Sequence, residues 1–128
     1  MIARSNRFHG RGSIQRLYKT AKSARSGSLA LRYAPNERRG SYRLAIVVSR
    51  KISKSAVVRN RIRRRLYEQV RILSSDFTSP YDVVIVVYDP NIAEMSVAKL
   101  TTEVNNLFKR AKLINTRPAP HDIVEPKK

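Results

Sequence analysis

The chain has no cysteine. That absence excludes disulfides, thiolate zinc sites and cysteine nucleophiles, and it fits a reducing compartment. Carboxylates are scarce as well, with nine scattered at Glu37, Glu68, Asp76, Asp82, Asp89, Glu94, Glu103, Asp122 and Glu125. Apart from Asp122 and Glu125 in the proline-containing tail, no two recur at a helical or strand spacing that would unite a pair around a metal ion, so neither a protein-borne metal site nor a protein-only nuclease centre is expected. The two histidines, His9 and His121, fall in a basic N-terminal stretch and a proline-containing tail, without the rigid surroundings a general base needs. Gly27 and Gly40 stand isolated, with no phosphate-loop or dinucleotide fingerprint around them. No apolar run approaches the roughly 20 residues that cross a bilayer, and Met1-Ile2-Ala3-Arg4 lacks the apolar core of a signal peptide. A cytoplasmic protein without a membrane partner is the expectation.

What the chain has in excess is positive charge. Lysine and arginine total 27 against nine acids, a net charge of +18 on 128 residues. An imbalance of that size points to a polyanionic partner, nucleic acid above all. With 41% hydrophobic residues, the length suits one compact domain with one core.

The charge is concentrated in the stretch Ser49 to Leu66, which reads as the start of a helix. At about 100° per residue, Val58, Ile62, Leu66, Val70 and Leu73 share an arc of about 120°, the width of a core-facing stripe. Asn60, Arg64 and Arg71 lie near the opposite pole, with Arg61 and Arg63 on the flanks. Ser53 or Ser55 can cap the first turn, whose free N–H groups also favour an anion. A solvated helix face usually mixes signs, because like charges one turn apart repel. Between Lys51 and Arg71 the only acid is Glu68. Arginine dominates, and its planar fork grips phosphate oxygens in pairs and stacks on bases, which suits RNA.

The rest of the chain supplies a scaffold for that helix. Residues 1–12 read as an extended basic arm, and Ser13 opens a short helix in which Ile14, Leu17, Tyr18 and Ala21 follow a helical period. Lys22 to Gly27 reads as its polar end. Ser28 to Ala34 alternates Leu29, Leu31 and Tyr33 against Ala30, Arg32 and Ala34 as a half-buried strand does, and Tyr42 to Ser49 is a second strand. These two are expected to pair as an antiparallel hairpin. Tyr81 to Tyr88 is a nearly continuous apolar strand expected at the centre of the sheet, stopped by Asp89-Pro90-Asn91. A last helix from Ser96 carries Val97, Leu100, Val104, Leu107, Phe108 and Ala111 on one face. The tail, residues 115–128, is expected to be disordered. The fold class is thus α+β, a two-layer α-β sandwich of element order α-β-β-α-β-α formed by residues 13–114. Phe8, Tyr18 and Tyr33 could be packing residues or could stack unpaired bases, each stack being worth about 1–3 kcal/mol.

Val48-Ser49-Arg50-Lys51 followed by Ala56-Val57-Val58-Arg59-Asn60-Arg61-Ile62-Arg63-Arg64 closely resembles the signature of the bacterial ribonuclease P protein subunit. The resemblance extends through Asn6-Arg7-Phe8, the short helix, the apolar strand Val83 to Val87 and the last helix, roughly residues 4–114. It implies a left-handed βαβ crossover, where general rules favour the right-handed form. It further implies an RNA-based enzyme in which the RNA subunit holds the catalytic Mg²⁺ ions, while the protein assists removal of the 5′ leader from precursor tRNA. The partners implied are the catalytic RNA and that leader, with no obligate protein partner. Carried over by position, the catalytic-RNA set is Arg50, Lys51, Lys54, Arg59, Asn60, Arg61, Arg63 and Arg64. By the same carry-over Ile14, Tyr18 and Tyr33 line the leader cleft, and Phe8 of the basic arm and Arg32 beside Tyr33 complete that set. Two positions depart from the family pattern: Ile14 stands where Phe is common, and Ile52-Ser53-Lys54-Ser55 where a Gly is usual. On composition alone, a basic ribosomal or RNA-chaperone protein without a role in cleavage fits equally well.

Overall fold

The computed structural model describes residues 17, 19, 21–36, 42–78 and 80–114. The arm, Phe8, Ile14, Tyr18 and the tail from residue 115 lie outside the described residues, and the expectations for them with it. Leu17 and Lys19 are helical, as the short first helix requires, and the Ala21 N–H donates to the Leu17 carbonyl at 2.8 Å.

Four strands follow: β1 Lys22–Arg25, β2 Leu29–Pro35, β3 Arg43–Val47 and β4 Tyr81–Val87. The helices are α1 Ala56–Leu73 and α2 Val97–Arg110. Short 3-10 turns occupy Ser74–Asp76 and Pro90–Ala93, the second capped by the Asp89 carboxylate accepting from the Asn91 N–H at 2.9 Å. The sheet order is β1-β2-β4-β3. β4 is central, as its unbroken apolar run demands, since a strand covered on both faces has no reason to alternate.

Two expectations are corrected here. Lys22 to Arg25 is a strand, paired antiparallel with β2, and not the end of a helix. Only four residues long and charged at Lys22 and Arg25, it makes a blunted sheet edge and carries almost no apolar signal. β2 and β3 do not form a hairpin. β4 lies between them, antiparallel to β2 and parallel to β3, so the apolar Val83–Val87 run has a strand on either side.

β3, α1 and β4 form a parallel crossover unit, and two hydrogen bonds fix its hand. The Tyr88 N–H donates to the Ser28 carbonyl at 2.9 Å and the Asn36 N–H to the Pro80 carbonyl at 2.8 Å. These residues continue the sheet face of Ala34, Val84 and Val86. In a strand of L-residues running upward, the residues facing the viewer bond to the right, so β2 lies to the right of β4 on that face. Seen from the helices, the chain steps leftward from β3 to β4, a left-handed crossover, contrary to the general preference.

Both helices cover one face of the sheet. Leu29, Leu31, Leu44, Ile46, Val83, Ile85 and Val87 meet Ile62, Leu66, Val70, Leu100, Val104, Leu107 and Phe108 there in a single core. On the other face Leu17 packs on Ala45 and Val84, with Ala21, Ala34, Val47 and Val86 around them. The stripe of α1 is buried from Ile62 to Leu73 and half-buried at Val58. In α2, Val97 departs from the expected buried face. It is 67% exposed and, with Ile72, lines an open groove between the helices.

One polar cluster ties three strands together. Arg43 donates to both oxygens of Asp82, at 2.8 and 2.6 Å, and the Asn36 amide donates to the same two oxygens at 3.1 Å. The pair is largely shielded from water, and the bond to Asp82 raises the pKa of Arg43. Asp82→Asn would keep an acceptor but lose the charge-assisted pairing, and should lower the unfolding free energy by about 1 kcal/mol in urea titrations. No loss of stability would show that the cluster is solvated and unimportant.

Candidate nucleic-acid interface

The basic surface is built by the loop after β3 and the first three turns of α1. Ser55, not Ser53, is the N-cap: its hydroxyl accepts from the Val58 N–H at 3.3 Å. The Ser53 hydroxyl instead accepts from the Ser55 N–H at 3.2 Å and shapes the approach. The loop closes through Ile52 N–H to Ser49 carbonyl at 3.1 Å, and no residue in it takes a positive φ. Ile52-Ser53-Lys54-Ser55 therefore turns the chain without the usual glycine. Arg59 reaches back to donate to the Ser53 carbonyl at 2.9 Å, locking helix and loop together. Arg50, Lys51, Lys54 and Arg59 converge with Ala56 on an open concavity of about 720 Å³. At this helix start the cap leaves N–H groups free, and four cations surround them, so the concavity attracts anions by charge and by dipole.

Further along α1, Asn60, Arg61 and Arg64 are exposed, with Arg63 half-buried beside them. Arg63 donates to the Asn60 side-chain oxygen at 2.9 Å. Arg61 donates to Glu94 at 3.0 Å in an exposed pair, which has little strength to keep it from a competing phosphate. Arg64 has no hydrogen bond or ion pair among the described residues. Two arginines of the same helix are committed elsewhere. Arg71 holds Glu68 through two hydrogen bonds, and this pairing lowers the Glu68 pKa to about 2, so the helix's one acid is charged and neutralised by its own neighbour. Arg65 donates to the Ile92 carbonyl at 2.6 Å and to the Met95 carbonyl, pinning the segment between β4 and α2. Its role is structural, and it was absent from the set expected to meet RNA.

The leader-cleft set is divided by the pleat of β2. Arg32 is exposed on the sheet face that carries Leu17, Ala34 and Val86. Tyr33 turns to the helix face, packs against the main core and meets Tyr81 edge-on, with centroids 6.3 Å apart. Adjacent residues in a strand point to opposite sides, so one cleft does not hold both. Arg25 and Tyr88 were missed altogether. At the end of the Arg32 face, the Arg25 guanidinium lies 4.3 Å from the centroid of the exposed Tyr88 ring. Arg25 ends β1 and Tyr88 follows β4, and no sequence spacing announces the pair. Among the described residues no three His, Asp or Glu side chains gather as metal ligands, and no helix is long and apolar enough to cross a membrane.

Comparison with known proteins gives the family. The family model described as Ribonuclease P matches residues 2–112. The chain belongs to the ribonuclease P protein family. It is 33% identical over 115 residues to the ribonuclease P protein component of Chloroflexus aggregans, covering 90% of this chain and 84% of that one. To that of Roseiflexus castenholzii it is 35% identical over 113 residues, covering 88% and 91%. The solved ribonuclease P protein of Staphylococcus aureus superposes with a TM-score of 0.76 at 24% identity, over 86% of this chain and 98% of that one. That of Thermotoga maritima gives 0.72 at 24% identity, over 81% and 98%. The four-stranded sheet with its two covering helices is thus the fold of the ribonuclease P proteins.

Proposed function

We propose that this chain is the protein subunit of a ribonuclease P holoenzyme, a partner of the catalytic RNA in removing the 5′ leader of precursor tRNA. The observation that carries the reading is the one-sided basic surface of α1 and its loop, within a chain that belongs to this family. Arg50, Lys51, Lys54 and Arg59 in the concavity, and Asn60, Arg61, Arg63 and Arg64 beyond it, grip the phosphates of the catalytic RNA. The leader runs over the opposite sheet face, along Arg32, with Phe8, Ile14 and Tyr18 of the N-terminal region contributing. Forks suit a folded phosphate surface, whereas rings and single cations suit a splayed strand. The Mg²⁺ ions belong to the RNA, and what the protein supplies is positive potential and position for a substrate that RNA alone would repel.

The direct test is cleavage of precursor tRNA by the cognate catalytic RNA at limiting Mg²⁺, with and without the protein. Stimulation by the protein supports the reading, and unchanged cleavage favours a basic RNA-binding protein outside this pathway. A second expectation concerns salt. Each arginine on a phosphate releases a condensed counterion, so Arg61→Ala and Arg64→Ala should each make the plot of log affinity against log salt shallower by about one ion. Unchanged slopes in both variants would remove α1 from the phosphate contacts.

A further inference from the structure

Tyr33, separated from Arg32 by the strand pleat, does not simply join the core. It lines a cavity of about 430 Å³ at the β1–β2 edge on the helix face, together with Tyr81 of β4, Lys22 of β1, and Arg110 and Lys112 at the end of α2. Among the described residues, four segments of the chain contribute two rings and three cations to the lining, and no acid. The volume falls within the range of small-molecule sites.

The walls are held in place. The Tyr81 hydroxyl and the Thr78 hydroxyl share a hydrogen bond at 3.2 Å. Arg110 donates to the Arg25 carbonyl, which fixes its guanidinium against β1. Lys112 is the one non-glycine residue with a positive φ among the described residues, at 63°, and its N–H donates to the Lys109 carbonyl at 3.0 Å. Glycine is the usual residue at such a helix end, because a side chain there is strained. Here the residue is a lysine, and it lines the cavity.

We propose that this cavity binds a nucleotide unit, its base against the Tyr33 and Tyr81 rings and its phosphate between Lys22, Arg110 and Lys112. Rings without cations would fit an apolar ligand, and cations without rings would fit any anion. The two together match a flat aromatic group carrying a phosphate. The unit can come from a free nucleotide or from an RNA chain. The site lies on the helix side of the sheet, away from the Leu17 and Arg32 face, and the proposal does not depend on how the leader or the catalytic RNA is held.

The test titrates the full chain with AMP, with inorganic phosphate and with a single-stranded RNA tetranucleotide by calorimetry at fixed ionic strength. AMP should bind about tenfold or more tightly than phosphate, the increment expected of a stacked base. Tyr81→Leu and Lys112→Gly should each weaken AMP about five- to tenfold, while Lys99→Ala, an exposed cation of α2 outside both sites, leaves it unchanged. Lys112→Gly is a fair test because glycine suits φ 63°, so its melting temperature should hold or rise and lost binding is not lost folding. If the tetranucleotide depends on Tyr81 and Lys112 as AMP does, the unit belongs to an RNA chain. If only AMP does, it is a free nucleotide. Equal binding of phosphate and AMP, or equal losses in Lys112→Gly and Lys99→Ala, would reduce the site to general attraction of anions by a basic protein and overturn the proposal. None of these arms uses precursor tRNA, so failure here leaves the assignment of α1 standing.

Discussion

Replacing Phe108 by alanine should lower the free energy of unfolding by about 3–5 kcal/mol, a large part of the roughly 5–15 kcal/mol that holds a domain of this size together. Phe108 is fully buried and stacks on Phe77, with centroids 5.9 Å apart and planes 12° from parallel. Phe77 in turn meets Tyr42 edge-on at 5.2 Å and bridges to Ile114. This row of rings joins the end of α2, the segment leaving α1 and the entry to β3, and it adds side-chain contact where the backbone ties only the first two. An alanine there leaves a cavity among residues that backbone ties prevent from collapsing, including the Thr78 N–H donating to the Leu113 carbonyl at 2.9 Å. The loss is amplified in effect because a net charge of +18 already works against compactness. Urea unfolding of the purified chain measures it, with Phe108→Leu as the comparison that keeps most of the volume and should lose less than about 1.5 kcal/mol. Saturating catalytic RNA should raise the melting temperature of the alanine variant, because a ligand of the folded state alone stabilises it by mass action. A loss below about 1 kcal/mol would mean that the three elements do not depend on this contact.

The parts legible in the sequence are those with a local period. The α1 stripe, its serine cap, the α2 stripe and the apolar β4 all came from residues within one turn or one pleat of each other. β1 escaped because four residues with only Ala24 turned toward the core carry no signal against a polar background. The strand order escaped for a different reason: β2 and β3 are neighbours in sequence, but β4, buried on both faces, takes both as partners. At the site, the alternation of Leu29, Leu31 and Tyr33 against Ala30, Arg32 and Ala34 already separated Arg32 from Tyr33. Adjacency in sequence grouped the two, and the pleat keeps them apart. The Lys22, Tyr81 and Lys112 cavity was not legible at all, since its walls meet only once the sheet has formed and α2 has docked. Arg65 shows the converse limit. Its spacing on α1 matches its neighbours, and only the carbonyls of Ile92 and Met95 reveal that it serves the fold.

Arg32→Ala should weaken binding of precursor tRNA to the assembled holoenzyme by about 1.5–3 kcal/mol, the usual cost of a lost hydrogen bond to a charged group. Mature tRNA, which has no leader, should bind nearly as before. The expectation rests on the proposed path of the leader across the sheet face that holds Arg32 exposed above Ala34 and Val86, on the side where Leu17 docks. This face is distinct from the outward surface of α1, and the two should fail differently. Arg64→Ala removes a cation whose expected partner is the catalytic RNA, so it should impair assembly and, once protein is saturating, leave the ratio of precursor to mature affinity intact. Arg32→Ala should spare assembly and collapse that ratio. Dissociation constants for both tRNAs, measured with saturating protein in each variant, separate the two surfaces. If Arg32→Ala weakens precursor and mature tRNA alike, the residue contacts the tRNA body or the catalytic RNA, and the leader does not cross this face. If it changes neither, the leader path lies with the N-terminal residues alone.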